Sequence, residues 1–460
     1  FWQLVRPWNL YSVLSPWYDR VDMAAEYYDD TIFHHATFAN LAEKRADRPF
    51  VFINATDMSI GSRFEFTQDQ FDLLHSDLAE FPLARAVAAQ DTLDRVLPLR
   101  VAGARGTVEN FNRVGCRPTQ DDRWANIHHA HQLYNLGHMY EGAIAYYRAT
   151  GKDKWLKVAE KSARHFNEVF FEGDPNYNNG HPVNQAPGHQ ELELALCKLY
   201  RVTGNRLYLD MAQRYLDIRG VTYRPEGEGT MSPSYAQQHK PVVEQTMAVG
   251  HAVRAGYLYA GMADVSALTG DMSYAQAAES IWHDIVDKKM HIIGGLGATH
   301  GIEGFGPAYD LPNRQTYNET CAAVANVLFN FRMYLLHKDA KYFDVAEVAL
   351  LNNSLAGMGM AGRSFFYVNV LETDGVRKFN HGSVGRAEWF GCACCPSNLA
   401  RLIPQVSSYM YSHTDDEIHL GLYGSSQTEI PLVSGDVAIK QTSNYPFDGK
   451  VRLEINPAAN

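Results

Sequence analysis

Two short segments gather the residues best suited to hold a metal or act as nucleophiles. Glu319-Thr320-Cys321 opens an apolar helical stretch, and WFGCACCPSN places Cys392, Cys394 and Cys395 within four positions about 70 residues later. One carboxylate with three thiolates makes a four-coordinate shell suited to zinc, in which soft sulfur dominates and one oxygen can shift. Adjacent Cys394 and Cys395 are cramped for a mutual disulfide, whereas both reach one metal if the backbone turns at Pro396. Six cysteines in 460 residues are too few for a disulfide framework, so their crowding reads as metal or thiol chemistry. A buried free thiol is also ordinary core material, and it is the cluster that favours metal.

A third segment, His300-Gly301-Ile302-Glu303-Gly304-Phe305, sets one carboxylate on a glycine-flanked loop, with Tyr317 and Glu347 on neighbouring elements. In a cavity, partial burial would raise such a carboxyl toward the working range of a general acid. No second carboxylate is spaced to serve as nucleophile, so an ordinary two-carboxylate glycosidase lacks its partner.

The elements that must position these groups are helical hairpins. A degenerate repeat opens at Gly137-His138, Gly188-His189 and Gly250-His251, runs through an Ala- and Tyr-rich helix to a Thr-Gly stop, and continues into a second helix. Apolar residues at i, i+3, i+4 and i+7 mark each helix, and Ala143, Ala195 and Ala255 permit close contact between helices. A fourth hairpin, without the Gly-His opening, follows from Glu319. Such hairpins stack as an open solenoid or close into an α/α toroid. In a toroid the helix starts gather at one end, which predicts that His138, His189 and His251 converge on one cavity.

From about residue 408 the texture changes to short alternating runs, EIHLGLY, TEIPL, DVAIKQTS and KVRLEI, separated by turn residues. The predicted fold class is therefore mainly α, an α/α toroid with a C-terminal, truncated β-sandwich module. The expected organisation is an N-terminal segment over 1–90, a barrel over 91–405 and a partial sandwich over 406–460. The segment RPFVFINATDMSIGSRFEFTQDQFDLL resembles a fragment of a patatin-like phospholipase, a strand, a turn and a second strand before a helix. Such enzymes need a Gly-x-Ser-x-Gly elbow, and the chain has none.

Composition bounds the rest. With 46% hydrophobic and 20% charged residues the chain is a folded globular protein, and a formal charge of −11 repels phosphate backbones and argues against nucleic acid as a partner. No apolar run is long enough for a membrane span. The opening FWQLVRPWNL lacks the layout of a signal peptide, which, with free thiols, makes the cytoplasm the expected location.

Taken together, HQLYNLGH, GHQELELALCKLYRVTG, GHAVRAGYL, GATHGIEGF, YDLPN, YNETCAA, FYVNVLET and WFGCACCPSNLARLI resemble the zinc-dependent cysteine glycosidases of the β-L-arabinofuranosidase family, glycoside hydrolase family 127. The likeness runs collinearly from about residue 107 over about three quarters of the chain. It implies Zn²⁺ as cofactor, with Glu319, Cys321, Cys394 and Cys395 as ligands, Cys394 as nucleophile and Glu303 as acid/base. It implies that His138, His189, His251, Tyr367 and Glu347 contact the substrate. The implied reaction releases terminal β-L-arabinofuranose, or a closely related furanoside, with retention. The implied partner is an arabinose-containing oligosaccharide or glycoconjugate, and a homodimer is compatible with the sequence. Two other readings compete: a zinc-stapled carbohydrate-binding scaffold without catalysis, and a patatin-like acyl hydrolase.

Overall fold

The computed structural model describes residues 126–457 with Trp124, Asp30 and the backbone of two short strands, Asn54–Asp57 (β1) and Ser62–Glu65 (β2). The chain divides into two compact units, Phe1–Arg100 and Val101–Asn460. In the first, β1 and β2 pair antiparallel, with Asn54 opposite Glu65. The TQDQFDLL segment and the rest of the phospholipase-like stretch lie outside the described residues.

The second unit is mainly α-helical. Four helical hairpins follow one another: Gln132–Thr150 (α1) with Lys154–Asn167 (α2), Leu192–Thr203 (α3) with Arg206–Ile218 (α4), Ala252–Thr269 (α5) with Met272–Lys288 (α6), and Thr320–His337 (α7) with Ala340–Ala349 (α8). The first helix of each hairpin packs on the first helix of the next, α1 on α3, α3 on α5 and α5 on α7, forming the inner row of a toroid. Their partners form the outer row. Sequence sets this division: α5 and α7 are buried along nearly all of their length, whereas α2 buries only a stripe of Leu156, Ala159, Ala163 and Phe166 with Asn167. Where α5 crosses α7 the backbones meet at Gly256, whose missing Cβ would lie 2.7 Å from the Cβ of Ala325.

The Thr-Gly stops work by one device used three times. Thr150, Thr203 and Thr269 each donate their hydroxyl to the carbonyl four residues back, at 2.7, 2.8 and 2.7 Å, and each accepts the N–H two residues on at 3.2 Å. The glycines that follow take the left-handed conformation, with φ of 69°, 69° and 81°, and cap the helix. Two of the second helices, α4 and α6, then start on side-chain caps: Asn205 accepts from Leu207 N–H and Asp271 from Ser273 N–H.

A ninth described helix, Cys394–Leu402 (α9), packs on α7 and leads into the C-terminal strands. Tyr411–His413 (β3) pairs with Ile418–Leu420 (β4). Ser426–Ile430 (β5), Val437–Ser443 (β6) and Val451–Pro457 (β7) form a three-stranded antiparallel sheet in that order. Along β6, burial alternates with period two from Val437, and Ile430, Val437 and Ile439 make a small core of their own. Among the described residues no helix is long and apolar enough to cross a membrane.

Candidate active site

Five helix starts converge on one cavity of about 730 Å³. His131 precedes α1, His189 lies just before α3, His251 is the N-cap of α5, Glu319 the N-cap of α7, and Cys394 the first residue of α9; all five line the cavity. Helix N-termini point partial positive charge and free N–H groups at this space, an environment suited to anionic groups.

On one wall, Glu319, Cys321, Cys394 and Cys395 place one ligand atom each within 4.8 Å of one another. Cys321 Sγ is 3.4 Å from Cys395 Sγ, Cys394 Sγ is 3.9 Å from Cys395 Sγ, and Glu319 Oε1 lies 3.6 Å from Cys394 Sγ and 3.7 Å from Cys395 Sγ. A tetrahedral ion with metal–sulfur bonds of about 2.3 Å needs sulfur–sulfur edges of about 3.8 Å, close to these values. Glu319 Oε2 is buried without a hydrogen-bond partner, as a carboxylate waiting for a cation would be. The group can hold a metal ion. Burial pushes the Glu319 carboxyl up, and the neighbouring Cys394 and Glu303 push it further. Burial likewise pushes the Cys395 thiol up, whereas at Cys321 hydrogen bonds with Cys394 and Cys395 outweigh burial and lower it. Cys395 is fully buried, while Cys394 is half-buried on the cavity side.

The backbone holds this wall in register. Thr320 N–H donates to Tyr367 O at 2.9 Å and its hydroxyl to Phe366 O at 2.8 Å, while Asn369 N–H returns to Asn318 O at 3.1 Å. The same lacing puts Tyr367 on the cavity.

Glu303 enters from its loop with φ of 51°, a left-handed conformation that few non-glycine residues take. Ala252 N–H donates to Glu303 O at 3.1 Å and Phe305 N–H to Gly250 O at 2.9 Å, clamping the loop to the start of α5. His251 Nε2 therefore sits 3.3 Å from Glu303 Oε2. Because His251 Nδ1 accepts from Val253 N–H at 3.2 Å, the imidazole proton is on Nε2 and faces the carboxylate. Burial pushes the Glu303 carboxyl up, but His251 first, then Tyr317 and His381, outweigh it and bring it down to about 2. Burial lowers His251 against the support of Glu303. At rest the pair is a carboxylate held by a neutral imidazole N–H.

Of the residues expected at the site, Glu303, Glu319, Cys321, Cys394, His189, His251 and Tyr367 line this cavity, and Cys395 lies in the same wall. Two do not. His138 is corrected to a position behind the cavity: α1 begins at Gln132, not at Gly137, so His138 is seven residues and about 10 Å along the axis from His131. It packs against Tyr134, ring centroids 4.4 Å apart, with Glu191 3.4 Å and Glu141 3.5 Å from Nδ1. Glu347 is likewise off the cavity lining, because it belongs to the outer helix α8; its carboxylate accepts from Tyr445 Oη at 3.2 Å.

The first hairpin's cavity histidine is His131, 5.4 Å from the His189 ring and missed by the Gly-His pattern. Counting back from the stop finds it: His131 precedes Thr150 by 19 residues, as His251 precedes Thr269 by 18. Arg254 was missed although it is one turn after His251 on a helix whose start was correctly placed. His381, with Tyr367 at 4.0 Å between ring centroids and Tyr317 Oη 3.4 Å from Nε2, carried no sequence signal, being a single histidine in an irregular loop.

Residues 93–408 match the family described as the β-L-arabinofuranosidase GH127 catalytic domain. The chain is 38% identical over 352 residues to a non-reducing end β-L-arabinofuranosidase of Bifidobacterium longum subsp. longum, covering 73% of this chain and 52% of the relative. It thus spans about half the length of the curated relative it matches. Among solved structures it is similar to a GH127 β-L-arabinofuranosidase from Geobacillus stearothermophilus T6, with a TM-score of 0.70, 35% identity, and coverage of 94% of this chain and 70% of that one. A further GH127 β-arabinofuranosidase gives a TM-score of 0.67 at 43% identity, covering 80% of this chain and 56% of its own.

Proposed function

The chain belongs to the GH127 β-L-arabinofuranosidase family, and from that premise we propose that it is a retaining exo-glycosidase that releases terminal β-L-arabinofuranose from an oligosaccharide or glycoconjugate. The observation that carries the reading is the meeting of the half-buried Cys394 thiol and the clamped Glu303 carboxylate in one cavity, with no further carboxylate among the described lining residues beyond Glu319, itself in the thiol cluster.

Zn²⁺ is the cofactor this donor set suits, with Glu319, Cys321, Cys394 and Cys395 as ligands; when bound it supplies the positive charge that keeps the thiols ionised at neutral pH. Cys394 Sγ, on the cavity side, attacks the anomeric carbon. Glu303, after taking up a proton from solvent, gives it to the departing glycosidic oxygen, while the neutral His251 Nε2–H, 3.3 Å away, holds the carboxyl group in place. A thioglycosyl-enzyme on Cys394 results. Glu303, again a carboxylate, then takes a proton from water as the water attacks the same carbon and displaces Cys394 Sγ as thiolate, and two inversions give retention. His189 and Tyr367, with His131, line the cavity and would hydrogen-bond ring hydroxyls, while both ring nitrogens of His251 are committed to Val253 N–H and Glu303. The cavity is within the range of volumes that take one small ligand unit.

We read residues 91–405 as the catalytic barrel and 406–460 as a partial sandwich, with 1–90 contributing no catalytic group. Assay of nitrophenyl β-L-arabinofuranoside, with and without added zinc, tests the proposal. Release of nitrophenol that depends on the metal supports it. No turnover of any arabinofuranoside by the zinc-loaded chain would leave a binding scaffold as the better reading.

A further inference from the structure

Three of the buried cations in this chain have a carboxylate at hand. Arg219 is 3.0 Å from Glu193, Lys289 is 2.7 Å from Asp284 and Arg332 is 3.1 Å from Asp264. Arg254 differs. It is 3% exposed and lines the active-site cavity, yet it makes no ion pair among the described residues. One Nη donates to Gly188 O, the guanidinium lies 4.7 Å over the ring of Tyr235, and Nε is buried without a hydrogen-bond partner.

A guanidinium does not shed its charge, so a buried one needs a counter-ion or a high cost is carried by the fold. Among the described residues its surroundings do not supply one. His131 is pushed down to about 3 by burial first and then by Arg254, and His189 is lowered by the same two causes, so both stay neutral. Among the described lining residues Arg254 is the one permanent positive charge, and the negative groups of the cavity, Glu303 and Glu319, hold other partners.

We propose that Arg254 forms an anion-accepting subsite, and that the arabinofuranoside taken by this cavity carries a carboxylate, as on a uronic acid residue joined to the furanose. The inference rests on the arabinofuranosidase reading and deepens it. The planar fork of arginine matches a carboxylate with two parallel hydrogen bonds, whereas a neutral hydroxyl would leave the charge uncompensated. The arrangement also orients the ligand. An acid group is repelled by the carboxylate and thiolates of the metal wall and drawn to Arg254, so the furanose end is the part left to face Cys394.

The test uses the full chain loaded with zinc and has two arms. In the binding arm, D-galacturonate and D-galactose are titrated by calorimetry; galacturonate should bind at least about ten-fold tighter, Arg254→Met should erase the difference and Arg254→Lys should keep part of it. In the turnover arm, β-L-arabinofuranose linked to galacturonate is compared with the same sugar linked to galactose. The acidic substrate should lead in kcat/KM by about ten-fold, mostly through KM. Each enzyme is scored by its own acid-to-neutral ratio, so general damage in a variant cancels. Equal binding of the two sugars by the unsubstituted chain, or binding of neither with equal turnover, overturns the subsite whatever the variants do, as does a preference that survives Arg254→Met. A binding preference without hydrolysis keeps the subsite and removes the arabinofuranosidase reading; hydrolysis without preference does the reverse.

Discussion

His251 Nε2 lies 3.3 Å from Glu303 Oε2 because the loop carrying the carboxylate is hydrogen-bonded to the helix start carrying the imidazole. The two groups come from separate stretches of chain, yet Gly304 pairs with His251 as an isolated bridge, so neither moves without the other. The pair gives the site a carboxylate held in a fixed direction by a neutral imidazole N–H.

Cys394 and Glu303 should fail in different ways when removed. Cys394→Ser exchanges a soft thiol for a weakly acidic hydroxyl and should cut kcat by about 10³-fold or more with every leaving group. Glu303→Gln should lose about 10²- to 10⁴-fold on poor leaving groups, and much less in the first step with an activated aryl group. With the second step still slow, mass spectrometry of Glu303→Gln after an activated furanoside should find one pentose-sized adduct on the peptide containing Cys394. An adduct on Glu319 would point to a carboxylate nucleophile instead.

Removing the metal should cost stability as well as activity. Glu319 and Cys395 are buried groups that burial and neighbouring negative groups disfavour as anions without a cation among them, so ligand and fold are linked. Strong chelation should lower the unfolding midpoint by several degrees, about 2–4 °C for each kcal/mol lost in a chain of this size class or somewhat less, and zinc should restore it. An unchanged midpoint after complete metal removal, checked by elemental analysis, would mean the cluster does not stabilise the fold through metal.

The histidines of the first hairpin should separate by function. His131 faces the cavity, so His131→Ala should raise KM or lower kcat by about ten-fold or more while leaving the unfolding midpoint nearly unchanged. His138 packs on Tyr134 and Tyr257 away from the lining, so His138→Ala should act mainly on stability, by about 1–3 kcal/mol. The reverse pattern in kinetics and thermal melts would restore His138 to the substrate.

What was legible in the sequence follows the range of the interactions involved. The Thr-Gly stops are local, since hydroxyl, carbonyl and glycine lie within six residues, and all three were found. The Glu319, Cys321, Cys394 and Cys395 cluster was legible because Glu319-Thr320-Cys321 and Cys394-Cys395 each bring two of its members from one segment, leaving one long-range contact to infer. The start of α1 was not. It is set by where His131 meets His189 and the next helix, and a Gly-His pair inside the helix looked like an opening. Glu347 failed for a related reason, because the sequence shows a helix but not whether that helix stands in the inner or outer row. Arg254 and His381 matter only through neighbours brought by folding, Tyr235 and Gly188 for one, Tyr317 and Tyr367 for the other.

The cluster behind the cavity should give the chain an acid-sensitive component of stability. Glu141 accepts a hydrogen bond from Lys198 and lies 3.5 Å from His138, on a helix face that Glu191 closes from the other side. Burial pushes the Glu141 carboxyl up, but Lys198 and His138 outweigh it and hold it well below its ordinary value of 4.5. A depressed carboxyl binds its proton less readily folded than unfolded, so its contribution is fully present above about pH 4.5 and drains away as the pH falls below that. Glu141→Gln leaves Lys198 half-buried without its anion and should cost about 3 kcal/mol near pH 7, the low end for breaking a buried pair because both groups keep some exposure. Denaturant melts of the two proteins should therefore differ most at neutral pH and converge toward pH 3. A difference that stays constant with pH would assign the cost to lost packing rather than to the charge.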